Sequence, residues 1–138
     1  MRTYFDTSGL IRAWRLKKTP EGVTRAHSLA EFYCVMTGPG IAVQREGETV
    51  KLALSPKDAA AAARETFSRM NYYDLKPKAA LDELEAAARK NVHGKNIHDW
   101  MHCAAADLSQ SDKIVTLNFR HFQGMTKLPV VSPADHFA

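Results

Sequence analysis

Apolar positions along this chain fall into short runs that alternate with helical stripes. Tyr4 and Phe5 form a brief apolar strand ending at Asp6-Thr7-Ser8, after which Leu10, Ile11 and Trp14 recur at helical spacing. Asp6 therefore stands at the carboxyl end of a strand. Beyond Thr19-Pro20-Glu21-Gly22, the positions Leu29, Phe32, Tyr33 and Met36 predict a second helix, stopped by Gly38-Pro39-Gly40. Ala30, Cys34 and Val35 surround Glu31 with apolar neighbours, so this helix is expected to be buried on more than one side. Residues 41–54 read as two strand-like runs around Arg45-Glu46-Gly47-Glu48, either an extra hairpin or a long loop. Ser55-Pro56-Lys57-Asp58 has the form of a helix start and leads into an alanine run, a helix expected to end near Met70.

Tyr72, Tyr73 and Leu75 predict another parallel strand, and Pro77 then opens a helix through Leu81, Leu84 and Ala88 that ends before Gly94. Asn96 can cap a further helix with the stripe Ile97, Met101, Ala104, Ala105 and Leu108. Ile114 to Leu117 forms a short strand, Phe119 to Phe122 a helical turn, and Val130-Val131 a last strand. Such alternation is the signature of an α/β fold, a parallel sheet with helices on both faces.

Composition narrows the class. At 138 residues, 45% hydrophobic and 25% charged, the chain fits one domain over 1–138 with its own core. No apolar run approaches the roughly 20 residues that a membrane helix needs, and Asp6 falls where a signal peptide's apolar core would begin. The expectation is a soluble cytoplasmic protein without membrane attachment. Cys34 and Cys103 form no CxxC and read as small core residues rather than a disulfide or zinc site. The net charge of +4 favours a polyanionic partner. Arg2, Arg12, Arg15, Lys17 and Lys18 face only Asp6 within the first twenty residues, so the first helix is either a phosphate-contacting surface or an ordinary solvated face.

Three acids resist the explanation that solvent alone accounts for them. Asp6 ends an apolar strand, Glu31 sits in an apolar helix, and Asp99 lies between Ile97 and Trp100 in a first helical turn. An isolated buried carboxylate must be paired, protonated or bound to metal. Converging carboxylates repel by roughly 4 kcal/mol per pair at ~4 Å and an effective dielectric of ~20, and a divalent cation reverses that sign. Oxygen donors favour magnesium or manganese. The competing account is three separate ion pairs with arginines.

Four linked segments carry a resemblance that spans nearly the whole chain. Phe5-Asp6-Thr7-Ser8, the helix His27 to Tyr33 with Met36-Thr37, the helix start Ile97-His98-Asp99 and the run Val115 to Phe122 resemble the PIN domains, in particular the VapC-like toxin ribonucleases. The resemblance implies a central parallel sheet of about five strands and magnesium- or manganese-dependent endoribonuclease activity. Asp6, Glu31 and Asp99 match the family's acids that hold metal and position the attacking water. Thr116 and Asn118 fill its Thr-x-Asp or Thr-x-Asn place, and His121 stands where many relatives have a further aspartate, so the charge for a second metal is reduced. Asn118 offers a carbonyl but no charge. Thr7 and Ser8 would orient Asp6 or contact phosphate, and Arg12 and Arg15 would guide the RNA backbone; a simple cap and a solvated face are the alternatives. The resemblance further implies an antitoxin protein partner and a homodimer. Two rivals stand beside it. One is a nucleic-acid-binding or regulatory PIN module with weak or lost catalysis. The other is a zinc protease built on His98 and His102, which lacks the glutamate and a third ligand at a familiar spacing.

Overall fold

The computed structural model describes residues 1–138. The elements follow in the order β1 (Thr3–Phe5), α1 (Thr7–Arg15), β2 (Gly22–Thr24), α2 (His27–Thr37), β3 (Ile41–Arg45), β4 (Glu48–Leu52) and α3 (Pro56–Thr66). Then come β5 (Met70–Tyr72), α4 (Pro77–Arg89), α5 (Asn96–Leu108), β6 (Lys113–Val115), α6 (Phe119–Gln123), β7 (Val130–Val131) and α7 (Pro133–His136). Five strands form one parallel sheet in the order β5-β2-β1-β6-β7, and β3 and β4 form a separate antiparallel hairpin. This is the α/β architecture expected from the alternation, with the five-stranded parallel sheet that the PIN-like resemblance implied.

Side chains on successive strand residues point to opposite faces, and the short strands use both. Phe5 and Val115 pack with Leu10, Phe32, Met36 and Phe67 on the side of α1, α2 and α3. Tyr4 and Ile114 pack with Cys103, Ala105, Ala106 and Phe122 on the side of α5 and α6. From β1 the chain moves outward through β2 to β5, and later returns to β6 on the other side of β1. That reversal opens a crevice at the carboxyl ends of β1 and β6, where open parallel sheets place their ligands. Asp6 follows β1 directly and Thr116 follows β6 directly.

Several expectations change in detail. Strand β2 has no counterpart in the sequence reading, because Gly-Val-Thr carries one apolar side chain; parallel pairing with both β1 and β5 makes it a strand. The next strand is Met70–Tyr72 rather than 72–75, and α3 ends at Thr66 rather than near Met70, since Phe67 turns inward against Phe32. Asn96 is the first residue of α5, and Lys95 occupies the cap position without a side-chain bond. Helix α2 buries a single stripe, Ser28, Phe32 and Met36, and leaves Leu29, Tyr33 and Cys34 exposed, so neither the expected burial on several sides nor a core role for Cys34 holds. Residues 41–54 resolve as the hairpin, closed by Glu46 and Gly47, both at positive φ as its two-residue turn requires. No helix is long and apolar enough to cross a membrane.

Gly9 lets α1 start directly against β6: a Cβ there would lie 2.6 Å from the Val115 carbonyl oxygen. Gly9→Ala is therefore expected to cost about 2 kcal/mol of folding stability through forced separation of helix and strand, measured by urea titration.

Candidate active site

The site begins with a helix cap. Asp6 is the N-cap of α1, and its Oδ1 accepts the Gly9 N–H at 2.8 Å, satisfying a donor that the first helical turn leaves free. The Ser8 hydroxyl approaches both carboxylate oxygens, at 2.8 and 3.0 Å, and the Thr116 hydroxyl donates to Oδ2 at 2.6 Å. Asp6 is only 2% exposed. Burial raises its pKa above the usual carboxylate range, and the nearby His102 and these hydrogen bonds only partly offset that.

Glu31 reaches the same place from α2. Thr24, at the end of β2, donates its hydroxyl to the Phe5 carbonyl and also contacts Ser28, which fixes the start of α2 against β1. One turn on from His27, Glu31 Oε1 accepts the Thr7 hydroxyl at 3.0 Å and lies 3.5 Å from His102 Nε2. Burial pushes Glu31 upward, but His102 and Thr7 outweigh it and bring the pKa down to about 2. His102 is itself buried, with Nδ1 2.7 Å from the Tyr4 hydroxyl. Tyr4 is held protonated by burial, so donation from its O–H to Nδ1 leaves the imidazole N–H on Nε2, facing Glu31.

Asp99 completes the group from the first turn of α5, with Oδ2 2.7 Å from His121 Nδ1. The side chains of Glu31 and Asp99 are 27% and 22% exposed, so both are open to the cleft while Asp6 forms its floor. Asp6, Thr7, Ser8, Glu31, Asp99, His102 and Asn118 line one cleft of 230 Å³. The alternative of buried ion pairs with arginine fails: no Arg or Lys is paired with any of the three acids, whose partners are hydroxyls, an amide N–H and imidazoles. An oxygen-rich set of this kind, without a strong cation paired to it, has the donor chemistry that a hard divalent ion takes. No three of these carboxylates and imidazoles stand close enough to enclose an ion by themselves, so a bound ion would have to keep waters in its remaining positions.

Other predicted residues separate. Thr116 lies beneath the cleft, bonded to Asp6 and accepting the Asn118 N–H at 3.0 Å, so it holds the β6–α6 loop rather than lining the opening. Arg12 is an exposed residue of α1 outside the cleft lining. Arg15 lines a 450 Å³ groove with Trp14, Lys17 and Lys18 at the opposite end of α1, sharing no residue with the acids. His98 stacks on His27 with ring centroids 6.1 Å apart, so it and His102 do not form a zinc pair. The sequence reading weighed His102 in the zinc-protease rival and missed its bond to Tyr4 and its approach to Glu31. A histidine inside the apolar run Met101 to Ala106 was the available signal.

The fold and this cleft define a PIN-like α/β domain with an acidic centre at the sheet's switch point. No protein-family model and no curated protein sequence matches the chain. Among solved structures it is similar to a chain in the crystal structure of VapBC2 from Rickettsia felis bound to a DNA fragment from its promoter. That match has a TM-score of 0.63 and 13% identity over 96% of this chain and 98% of that one, a likeness of fold.

Asp6 and Glu31 carry opposite pH signatures in metal-free protein. Glu31, lowered from 4.5 to about 2, contributes stability that is present above its unfolded pKa and lost as pH falls toward 2. Asp6, raised from 3.8, contributes stability below that value that is lost as pH rises through its folded pKa. In melts with chelator at neutral pH, Asp6→Asn should raise and Glu31→Gln should lower the melting temperature, with both differences shrinking toward pH 2. Equal signs for the two variants would contradict these assignments.

Proposed function

We propose that this protein is a divalent-metal-dependent endoribonuclease that hydrolyses RNA phosphodiester bonds. The observation carrying this reading is that Asp6, Glu31 and Asp99 share one cleft with no Arg or Lys paired to any of them. Chains without a use for such a site have little reason to hold three carboxylates in that state. Magnesium or manganese, when bound, would supply a lowered water pKa and polarisation of a non-bridging phosphate oxygen. Asp6, Glu31 and Asp99 would hold it through carboxylate oxygens, with Asn118 offering a neutral carbonyl at the margin. Ser8, Thr116 and the Gly9 N–H keep Asp6 in one orientation, and Thr7 with His102 does the same for Glu31. These bonds preorganise the acids, so little reorganisation is needed when substrate arrives.

The biological setting follows the same likeness. The solved neighbour is a chain of VapBC2, and we assign this chain the toxin role that its resemblance to VapC-like toxins implies, with an antitoxin protein covering the acidic cleft. Growth arrest on expression, relieved by a small protein encoded beside it, is the expected outcome; harmless expression at high level would count against the toxin role. Self-association would cover the apolar hollow among Leu29, Tyr33, Phe67 and Tyr72. Tyr33→Glu should then convert a dimer to a monomer in sedimentation.

The second reading, a nucleic-acid-binding module with lost catalysis, draws on His121 engaging Asp99 and on the neutral Asn118. Cleavage of a mixed structured RNA pool separates the two. With magnesium or manganese, wild type should cut and Asp6→Asn should lose at least about a hundredfold in rate, while chelator abolishes cutting. A folded wild type, checked by circular dichroism, that cuts in neither metal would overturn the enzyme reading.

A further inference from the structure

A second pocket adjoins the carboxylate cleft. It measures 500 Å³ and has two walls in common with the cleft, Asp99 and Asn118, so a chain passing the acids runs directly into it. Its lining is more basic than the cleft's, for beside Asp99 it carries two cations and His121. Lys95 and Arg120 enter it, and neither is paired with a carboxylate. Asn96 and Asn118 add amide donors and acceptors, and Leu117 and Phe119 are 46% and 39% exposed at its wall.

Exposure of Phe119 is not demanded by packing. The short helix α6 already has its anchor in Phe122, which is fully buried in the core beside Ile114. Phe119 stands three residues earlier, partly exposed, and lines the same pocket as the two cations. The wall is also held rigidly to the acids: the Leu117 N–H donates to Ser8 Oγ at 3.0 Å, and the Asn118 N–H to Thr116 Oγ1. Ser8 and Thr116 are the same hydroxyls that bond to Asp6. The position of Phe119 relative to the reacting centre is therefore set by two hydrogen-bonded steps.

An aromatic face beside unpaired cations and amides is the combination that binds an unstacked nucleotide, with ring against base and cations against phosphate. Bases inside an A-form duplex offer no free face to such a ring. Resting on the nuclease reading above, we infer that this pocket is a nucleotide subsite for single-stranded RNA, holding the nucleotide next to the scissile phosphate. Phe119 stacks the base, Lys95 and Arg120 contact the phosphate, and Asn96 and Asn118 meet the base edge. The cations of the Trp14 groove, which shares no residue with the cleft, are not part of this path.

The test reads binding rather than cutting. The full chain carrying Asp6→Asn is titrated, in chelator, into a fluorescently labelled mixed-sequence single-stranded RNA and into a blunt duplex of the same length. Adding Phe119→Ala should weaken single-strand binding about tenfold and leave duplex binding unchanged. Adding Lys95→Ala with Arg120→Ala should flatten the slope of log affinity against log salt by about 1.4, roughly 0.7 for each lost phosphate contact. All three side chains sit at the surface, and unchanged melting curves confirm folding. Variants that bind single strands within about twofold of their parent would overturn the subsite, as would equal loss for duplex, or a parent that binds no single-stranded RNA. An acidic protein segment as the true occupant would give that first result. RNA binding as expected together with no cleavage by wild type would sink the catalytic reading and leave the subsite standing.

Discussion

Everything at the functional end of this molecule hangs on one carboxylate. Asp6 lies where the central strand ends and the first helix begins, and its two oxygens collect the Gly9 N–H and the hydroxyls of Ser8 and Thr116. A buried anion is tolerable only with such a shell of donors. The shell in turn fixes three things: the start of α1, the end of β6 and the loop leading to α6. Gly9 is part of the same constraint, because only a residue without Cβ lets α1 begin so close to the Val115 carbonyl.

Around that anchor the protein places two more carboxylates and leaves all three without a cationic side chain of strong charge. Histidine is used instead. His102 stands between Tyr4 and Glu31, and His121 meets Asp99. Imidazoles can orient a carboxylate through a hydrogen bond while leaving its outer lone pairs open, whereas a bidentate arginine would occupy both oxygens. The outer carboxylate oxygens of the free protein therefore stay open toward the cleft, where a divalent ion or a basic partner side chain would meet them.

The change of character across the Asp99–Asn118 boundary matters for the same reason. An acidic cleft alone repels a polyanion, and attraction must come from cations nearby rather than within it. Lys95 and Arg120 lie just beyond the acids, on the starts of α5 and α6. The basic groove at the far end of α1 shares no residue with the cleft, although it holds most of the early cationic run that the sequence displays.

Much of the fold was legible because its signals are local. Strand, turn and helix around Phe5-Asp6-Thr7, the Ser55-Pro56 cap and the Pro77 helix start each depend on neighbours a few residues apart, and each appears where the pattern placed it. Asp6, Glu31 and Asp99 stood out because a carboxylate in an apolar stretch is costly wherever the chain goes. What the sequence alone determined was therefore the α/β alternation and the identity of the three acids. Strand β2, the exposure of Cys34, the Tyr4–His102–Glu31 contacts and the His121–Asp99 pair were not legible, since each joins residues far apart in the chain or depends on which helix face meets the sheet. The tertiary structure alone decided that the acids share a cleft, that Arg15 does not border it, and that Phe119, Lys95 and Arg120 do adjoin it. Distances between residues about a hundred positions apart, such as Asp6 and Thr116, are set by the order of strands in the sheet, and local sequence pattern carries no record of that order.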